Sequence, residues 1–136
     1  ASPGYLETHG TPESPDDLTT HKLIAFKEAV VKPLIGQDGE AGFFDPQAAF
    51  CRLVVDDGAS QKIATCAGAG ISVNSLWSVH RELKDGSLVR VLPALEVDDH
   101  SVLWLVYPKS NVLTGKVRLF IDFLLERIGR SPPWEQ

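Results

Sequence analysis

LVVDDGASQKIATCAGAGISVNSL, residues 53–76, decides how this chain folds. Leu53, Val54 and Val55 form a short apolar run with β-branched members, the composition of a buried strand. Asp56-Asp57-Gly58 is a turn signal. From Ala59 to Ala67, the residues Ile63, Ala64 and Ala67 recur at helical spacing, and Gly68 and Gly70 stop that helix. Ile71 to Val73 restarts an extended run, and Asn74 is placed to cap a second helix. Strand, helix, strand, helix in this order predicts a parallel sheet, with strand ends and helix N-termini facing one crevice. Exposed backbone N–H groups at two helix starts suit a small anion such as a carboxylate.

Outward from this unit, the chain shows short elements on both sides. Tyr5 and Leu6 open a short helix ending near His9-Gly10. Ser14-Pro15-Asp16-Asp17 starts a helical turn, with a capping serine, proline at the first position and acidic residues facing the helix dipole. Lys22–Phe26 reads as a strand. Val30, Val31, Leu34 and Ile35 give another, turning at Gln37-Asp38-Gly39-Glu40 into a return strand at Gly42-Phe43-Phe44. Downstream, Leu76–Leu83 is helical with Leu76, Val79, His80 and Leu83 on one face. Leu88–Leu92 alternates as a strand, Glu96–Ser101 is a polar link, and Val102–Tyr107 is a strand apolar on both faces. The helix Gly115–Ile128 carries Val117, Phe120, Ile121, Leu124 and Ile128 in one stripe, with Leu119 and Phe123 outside it. That face is broad for a helix packed on one side only.

Composition narrows the function classes. The 136 residues suffice for a hydrophobic core, and a net charge of −5 disfavours a nucleic-acid surface within this chain. Cys51 and Cys66 form neither a disulfide framework nor a metal spacing, so buried free thiols are expected. No apolar run is long enough to span a membrane, and no secretory leader is visible. The chain begins at Ala1-Ser2-Pro3 without an initiator Met, as part of a longer protein would.

No catalytic set emerges. His9, His21, His80 and His100 show no HxxxH spacing, and none adjoins a cysteine, so no metal site and no catalytic residue are expected. Asp56 and Asp57 point apart in a turn and suit ligand contact better than paired acid–base chemistry. Gly68-x-Gly70 follows a helix instead of opening one and is too short for a dinucleotide fingerprint. No cofactor is expected.

Six segments in order carry a family resemblance. They are Ala1-Ser2-Pro3-Gly4-Tyr5-Leu6; Thr11-Pro12 with Pro15, Asp17-Leu18 and His21; Val55-Asp56-Asp57-Gly58 with Ala67-Gly68-Ala69-Gly70-Ile71; Leu83 with Gly86, Leu88-Val89 and Val91-Leu92-Pro93; Val106-Tyr107-Pro108; and Val117-Arg118 with Phe120-Ile121-Asp122-Phe123-Leu124. Together they resemble the effector-binding domain of LysR-type transcriptional regulators. The chain departs from that pattern at Ser75 and Gly115, where the family often places proline.

The resemblance implies an α/β fold of the type-2 periplasmic-binding-protein kind: a lobe with a mixed sheet flanked by helices, truncated at its N-terminus. Residues 1–94 would be the second lobe. Residues 95–136 would be the returning strand and helix of a mostly missing first lobe. A small-molecule effector, a small organic anion, would bind between lobes. In this chain Phe26 at a strand end, Asp57-Gly58-Ala59 at one helix start and Ser72-Val73-Asn74 at the other would face it. The resemblance further implies a cytoplasmic bacterial regulator acting as an oligomer. DNA would be reached only through an N-terminal winged helix-turn-helix domain outside this chain. With their usual cover missing, Val102–Tyr107 and the Gly115–Ile128 helix would expose a large apolar patch, and self-association through them is expected. An extracytoplasmic solute-binding protein of the same fold is the alternative.

Overall fold

The computed structural model describes residues 1–27, 30–49, 51–98, 104–107, 114–129, 132 and 134, without the side chains of 51 and 52. The chain divides into two compact units, Ala1–Asp99 and His100–Gln136.

The first unit is built on strand β1 (Lys22–Phe26), the centre of a three-stranded parallel sheet. One neighbour is β4 (Cys51–Val55), in register from Lys22↔Cys51 to Phe26↔Val55. The other is β5 (Ile71–Ser72), paired as Leu23↔Ile71 and Ile24↔Ser72. Leu23, Ile24 and Ala25 are all buried, as a strand covered on both faces requires. Gly70 makes the close approach of β5 possible. Its φ is +157°, and a Cβ there would overlap the Lys22 carbonyl oxygen and lie 3.0 Å from the Lys22 carbonyl carbon.

A second, antiparallel sheet joins β2 (Lys32–Gly36) to β3 (Gly39–Phe44) and to β6 (Glu96–Val97). The expected hairpin thus forms, but Val30 and Val31 lie outside it. The α/β class stands, with its parallel and antiparallel parts in two sheets. Glu96 and Val97, read from sequence as polar link, pair with Ile35 and Leu34. Leu34 and Phe44 enter the same core as Tyr5, Leu6, Leu18, Leu23 and Ile71.

The 3-10 turn Pro15–Thr20 forms where the sequence places it, and helix α1 (Pro3–His9) starts two residues before the expected Tyr5, because Ser2-Pro3 caps and opens it instead of turning. Ser2 accepts from the Tyr5 N–H, and the Asp17 carboxylate accepts from the Ser14 N–H and hydroxyl. Tyr5 fastens α1 to the start of β1. Its buried hydroxyl accepts from the Lys22 N–H at 2.9 Å and lies 3.1 Å from His21 Nδ1, while the His9 ring stacks on Tyr5 at 4.3 Å. Burial lowers the pKa of His21; nearby His9 adds to this and Asp17 opposes it. The folded state therefore prefers neutral His21, and the unfolded chain binds more protons below its ordinary pKa of about 6.5. Stability from this group is complete above that value and is lost as the pH falls through it. Urea midpoints are expected to decline between about pH 7 and pH 5, and His21→Gln to flatten that part of the profile. Asp17, Asp57, Glu82 and Asp85, whose pKa values are lowered by hydrogen bonds, act only in the acid range below their ordinary carboxylate values.

Two expected strands do not form among the described residues. Leu88–Leu92 forms bends instead. Val89 exchanges backbone hydrogen bonds with Ala1 in both directions, and Leu92 takes a positive φ of 51°. The apolar alternation there reflects packing: Leu88 is buried, and Val91 and Leu92 lie against the core. Trp104–Tyr107 carries no strand either, and Val102 and Leu103 lie outside the described residues. Among the described residues no strand pairs with this segment, so its backbone has no ladder to join. Trp104 and Val106 are more than four-fifths exposed.

In the second unit, α4 (Gly115–Ile128) has the bounds its apolar period predicts. None of its residues is buried, and Leu119, Phe120, Phe123 and Leu125 are all at least half exposed. Among the described residues no helix is long and apolar enough to cross a membrane.

Candidate functional site

Because β1, β4 and β5 are parallel, their carboxyl ends share one edge of the sheet. Phe26 ends β1 opposite Val55, and its ring is partly exposed. Helix α2 (Gly58–Cys66) leaves this edge after β4, and α3 (Leu76–Lys84) leaves it after β5. A Cβ on Gly58 would sit 3.7 Å from the Phe26 ring, so the start of α2 and the end of β1 are in contact. Phe26, Asp57, Gly58 and Ala59 thereby form one group. Ser72, Val73 and Asn74 form a second at the end of β5. Val73 leans partly into the core, which leaves Ser72 and Asn74 as the polar members.

The two helix starts differ chemically. At α2, Asp57 is the N-cap: its carboxylate accepts from the Ser60 N–H at 2.8 Å and from the Ser60 hydroxyl. These bonds hold the Asp57 pKa below the usual carboxylate range. The α2 terminus therefore already carries an anion of its own. At α3 the N-cap is Ser75, whose side chain makes no capping hydrogen bond. Asn74, expected from sequence to cap this helix, instead donates to Ser72 Oγ at 2.5 Å. The open N–H groups are those of α3. Lys62 of α2 donates to the Ser78 carbonyl at 3.2 Å and pairs with Glu82 at 3.0 Å, joining the two helices.

The inner face of α2 is the main surprise. Ile63, a member of the apolar repeat that marks this helix in the sequence, is 66% exposed, whereas Gln61 and Thr65 are 3% and 1% exposed. The Gln61 amide donates to the Ile24 carbonyl of β1 at 3.2 Å. A strand carbonyl beneath a helix needs a donor, and a side-chain amide supplies it. Polar residues four apart at 61 and 65 were the available signal. Cys66, expected buried, is exposed and free, while the Cys51 side chain lies outside the described residues. An open groove of about 450 Å³ touches Ser2, Tyr5, His9, Cys66 and Gly68, at the opposite end of α2 from Asp57. Among the described residues no cluster of three metal-ligating side chains exists.

Comparison with known proteins gives a consistent picture. The family model "LysR substrate binding domain" matches residues 1–129. The chain is 34% identical over 125 residues to the uncharacterized HTH-type transcriptional regulator YhjC of Escherichia coli strain K12, covering 91% of this chain and 42% of that protein. Among solved structures it is similar to the regulatory domain of AphB from Vibrio vulnificus, with a TM-score of 0.69 and 26% identity over 93% of this chain and 61% of that one. It is similar to the full-length Vibrio cholerae virulence activator AphB, also with a TM-score of 0.69 and 26% identity, covering 93% of this chain and 42% of that one. The chain thus spans less than half the length of the curated relative it matches and about three-fifths of a solved regulatory domain. These relatives are regulators of transcription, not enzymes.

Proposed function

The chain belongs to the LysR substrate-binding domain family, and from that membership we propose that it is the effector-sensing part of a bacterial transcription regulator. A small organic anion binds at the carboxyl edge of the β4-β1-β5 sheet. Phe26 and the Asp57-Gly58-Ala59 turn form one side of this half-site, and Ser72-Val73-Asn74 with the first turn of α3 the other. The carboxylate sits at α3, because Asp57 already fills the α2 terminus with negative charge. Residues 1–94 are the second lobe of a two-lobed domain; within residues 95–136, Glu96 and Val97 still pair onto that lobe as the chain crosses over, and the part beyond belongs with a first lobe supplied elsewhere in the polypeptide. The effector acts by binding two arrangements of the lobes with different affinity, which changes how a separate winged helix-turn-helix domain meets its operator. The regulator works in the cytoplasm.

The observation that carries this reading is the family match over residues 1–129. Small organic acids are expected to raise the melting temperature of the complete regulator and, at the same concentrations, to change its mobility-shift titration on promoter DNA. If no acid, amine or sugar in a broad panel moves either quantity, the effector reading fails. The exposed apolar residues of Trp104–Tyr107 and α4 support self-association of the isolated chain. Sedimentation equilibrium is expected to show a mass rising with concentration, reduced by Phe120→Glu.

A further inference from the structure

A line of hydrogen bonds runs beneath the Ser72–Asn74 side of the site, and its proton directions can be assigned from donor chemistry alone. Thr65 Oγ1 lies 2.7 Å from the Gln61 carbonyl. A carbonyl carries no proton, so the single Thr65 hydroxyl proton is in this bond. Ser72 Oγ lies 2.7 Å from Thr65 Oγ1, and the proton between them must then be that of Ser72. The Asn74 side-chain amide meets Ser72 Oγ at 2.5 Å. With the Ser72 proton engaged, only the NH₂ group of Asn74 can face it. The far end of the line is the main-chain carbonyl of Gln61 in α2, and the Gln61 side-chain amide separately donates to the Ile24 carbonyl of β1. Thr65 and Gln61 are among the most buried side chains of the chain, so water is kept from the Thr65–Gln61 bond, while the Ser72 and Asn74 bonds are half-buried. The Asn74 oxygen, turned away from Ser72, has no hydrogen-bond partner among the described residues.

We infer that Thr65, anchored on the main-chain carbonyl of residue 61, and Ser72 are positioning residues that lock the flip of the Asn74 amide, so that this side of the cleft offers a hydrogen-bond acceptor and selects an effector bearing a donor there. Resting on the half-site proposed above, the ligand class narrows to small organic acids that also carry a hydroxyl or N–H group. A second carboxylate at this position would meet the Asn74 oxygen and be rejected.

The test uses the ¹⁵N-labelled chain and the variants Thr65→Val and Thr65→Ser. Valine keeps the shape but removes the proton, which frees Ser72 to donate to the Asn74 oxygen; serine keeps the hydroxyl. Nuclear Overhauser contacts from the Asn74 NH₂ to Ser72 Hβ, with slow exchange of one NH₂ proton, are expected in the parent and in Thr65→Ser and lost in Thr65→Val. A parent chain with the Asn74 oxygen on Ser72, or a Thr65→Val variant with the parent signature, overturns the inference. Glycolate and methoxyacetate, which differ in one donatable proton, supply the ligand arm. Glycolate is expected to shift the Asn74 side-chain signals with about 5- to 10-fold higher affinity, a preference retained by Thr65→Ser and abolished by Thr65→Val. Equal shifts from both probes, or no shift from either, overturn the assigned chemistry of this wall. The effector reading itself falls only by the melting and operator assays on the complete regulator.

Discussion

Gly70→Ala is expected to destabilise the Ala1–Asp99 unit by about 3 kcal/mol or more, read as a lowered urea midpoint at unchanged slope. Two costs combine. A Cβ at this residue overlaps the Lys22 carbonyl oxygen, which is backbone and cannot swing aside. Forcing such an overlap costs about 1–3 kcal/mol or more. The φ of +157° also lies in territory L-residues avoid, which adds about 1–3 kcal/mol. Gly86→Ala is the matched control, because Gly86 has a φ of +79° and open space where its Cβ would go. It should lose only the conformational part, about 1–2 kcal/mol. Equal losses in the two variants would show that contact with β1 is not what requires glycine at residue 70. The effect reaches the half-site as well, since Gly70 precedes the β5 residues that place Ser72.

Ile24→Ala is expected to lower stability by about 2–5 kcal/mol. Ile24 is fully buried at the centre of the central strand, paired with Leu53 on one side and Ser72 on the other. Truncation removes apolar contact and leaves a cavity that a strand held on both edges cannot collapse to fill. Total stabilities of about 5–15 kcal/mol are usual for a domain, so this single change takes a large share. Ile63→Ala, on the outer face of α2, should by contrast leave the midpoint nearly unchanged. Reversal of that order, measured on both variants together, would mean that α2 packs with Ile63 inward.

That contrast marks where the sequence could be read and where it could not. Elements with a strong local signal came out near their expected places: β1 from its apolar run, the 3-10 turn from the serine and proline at its start, α4 from its period, and α1 from Tyr5 and Leu6 although it starts two residues earlier at Pro3. The fold class and the family resemblance rested on these and on the strand–helix unit, and both hold. Readings that depended on tertiary partners failed. The side of α2 that turns inward carries Gln61, whose amide donates to the Ile24 carbonyl, a contact that no helical period reveals. Leu88–Leu92 alternates like a strand but meets the start of the chain and not a sheet. Glu96 and Val97 look like linker because two residues on an edge carry no pattern, yet they close the antiparallel sheet. In the half-site, the turn around Asp57 was legible from its residues. The bonding of Asn74 was not, since it follows from its contact with Ser72 and the line from there to Thr65.

The parallel register of β1 also has a consequence for synthesis. Leu23 is made long before its partner Ile71, 48 residues later in the chain. At about 5–20 residues per second, the wait is on the order of 2–10 s. Throughout that interval β1, whose Leu23, Ile24 and Ala25 are all buried in the folded unit, has left the ribosome, or is leaving it, with at least one edge uncovered. The β2–β3 hairpin made next brings Leu34 and Phe44 into the same core as Leu23 but, belonging to the other sheet, pairs with neither edge of β1. Nascent chains of this protein should therefore depend on chaperone binding at Lys22–Phe26 until α2 and β5 emerge.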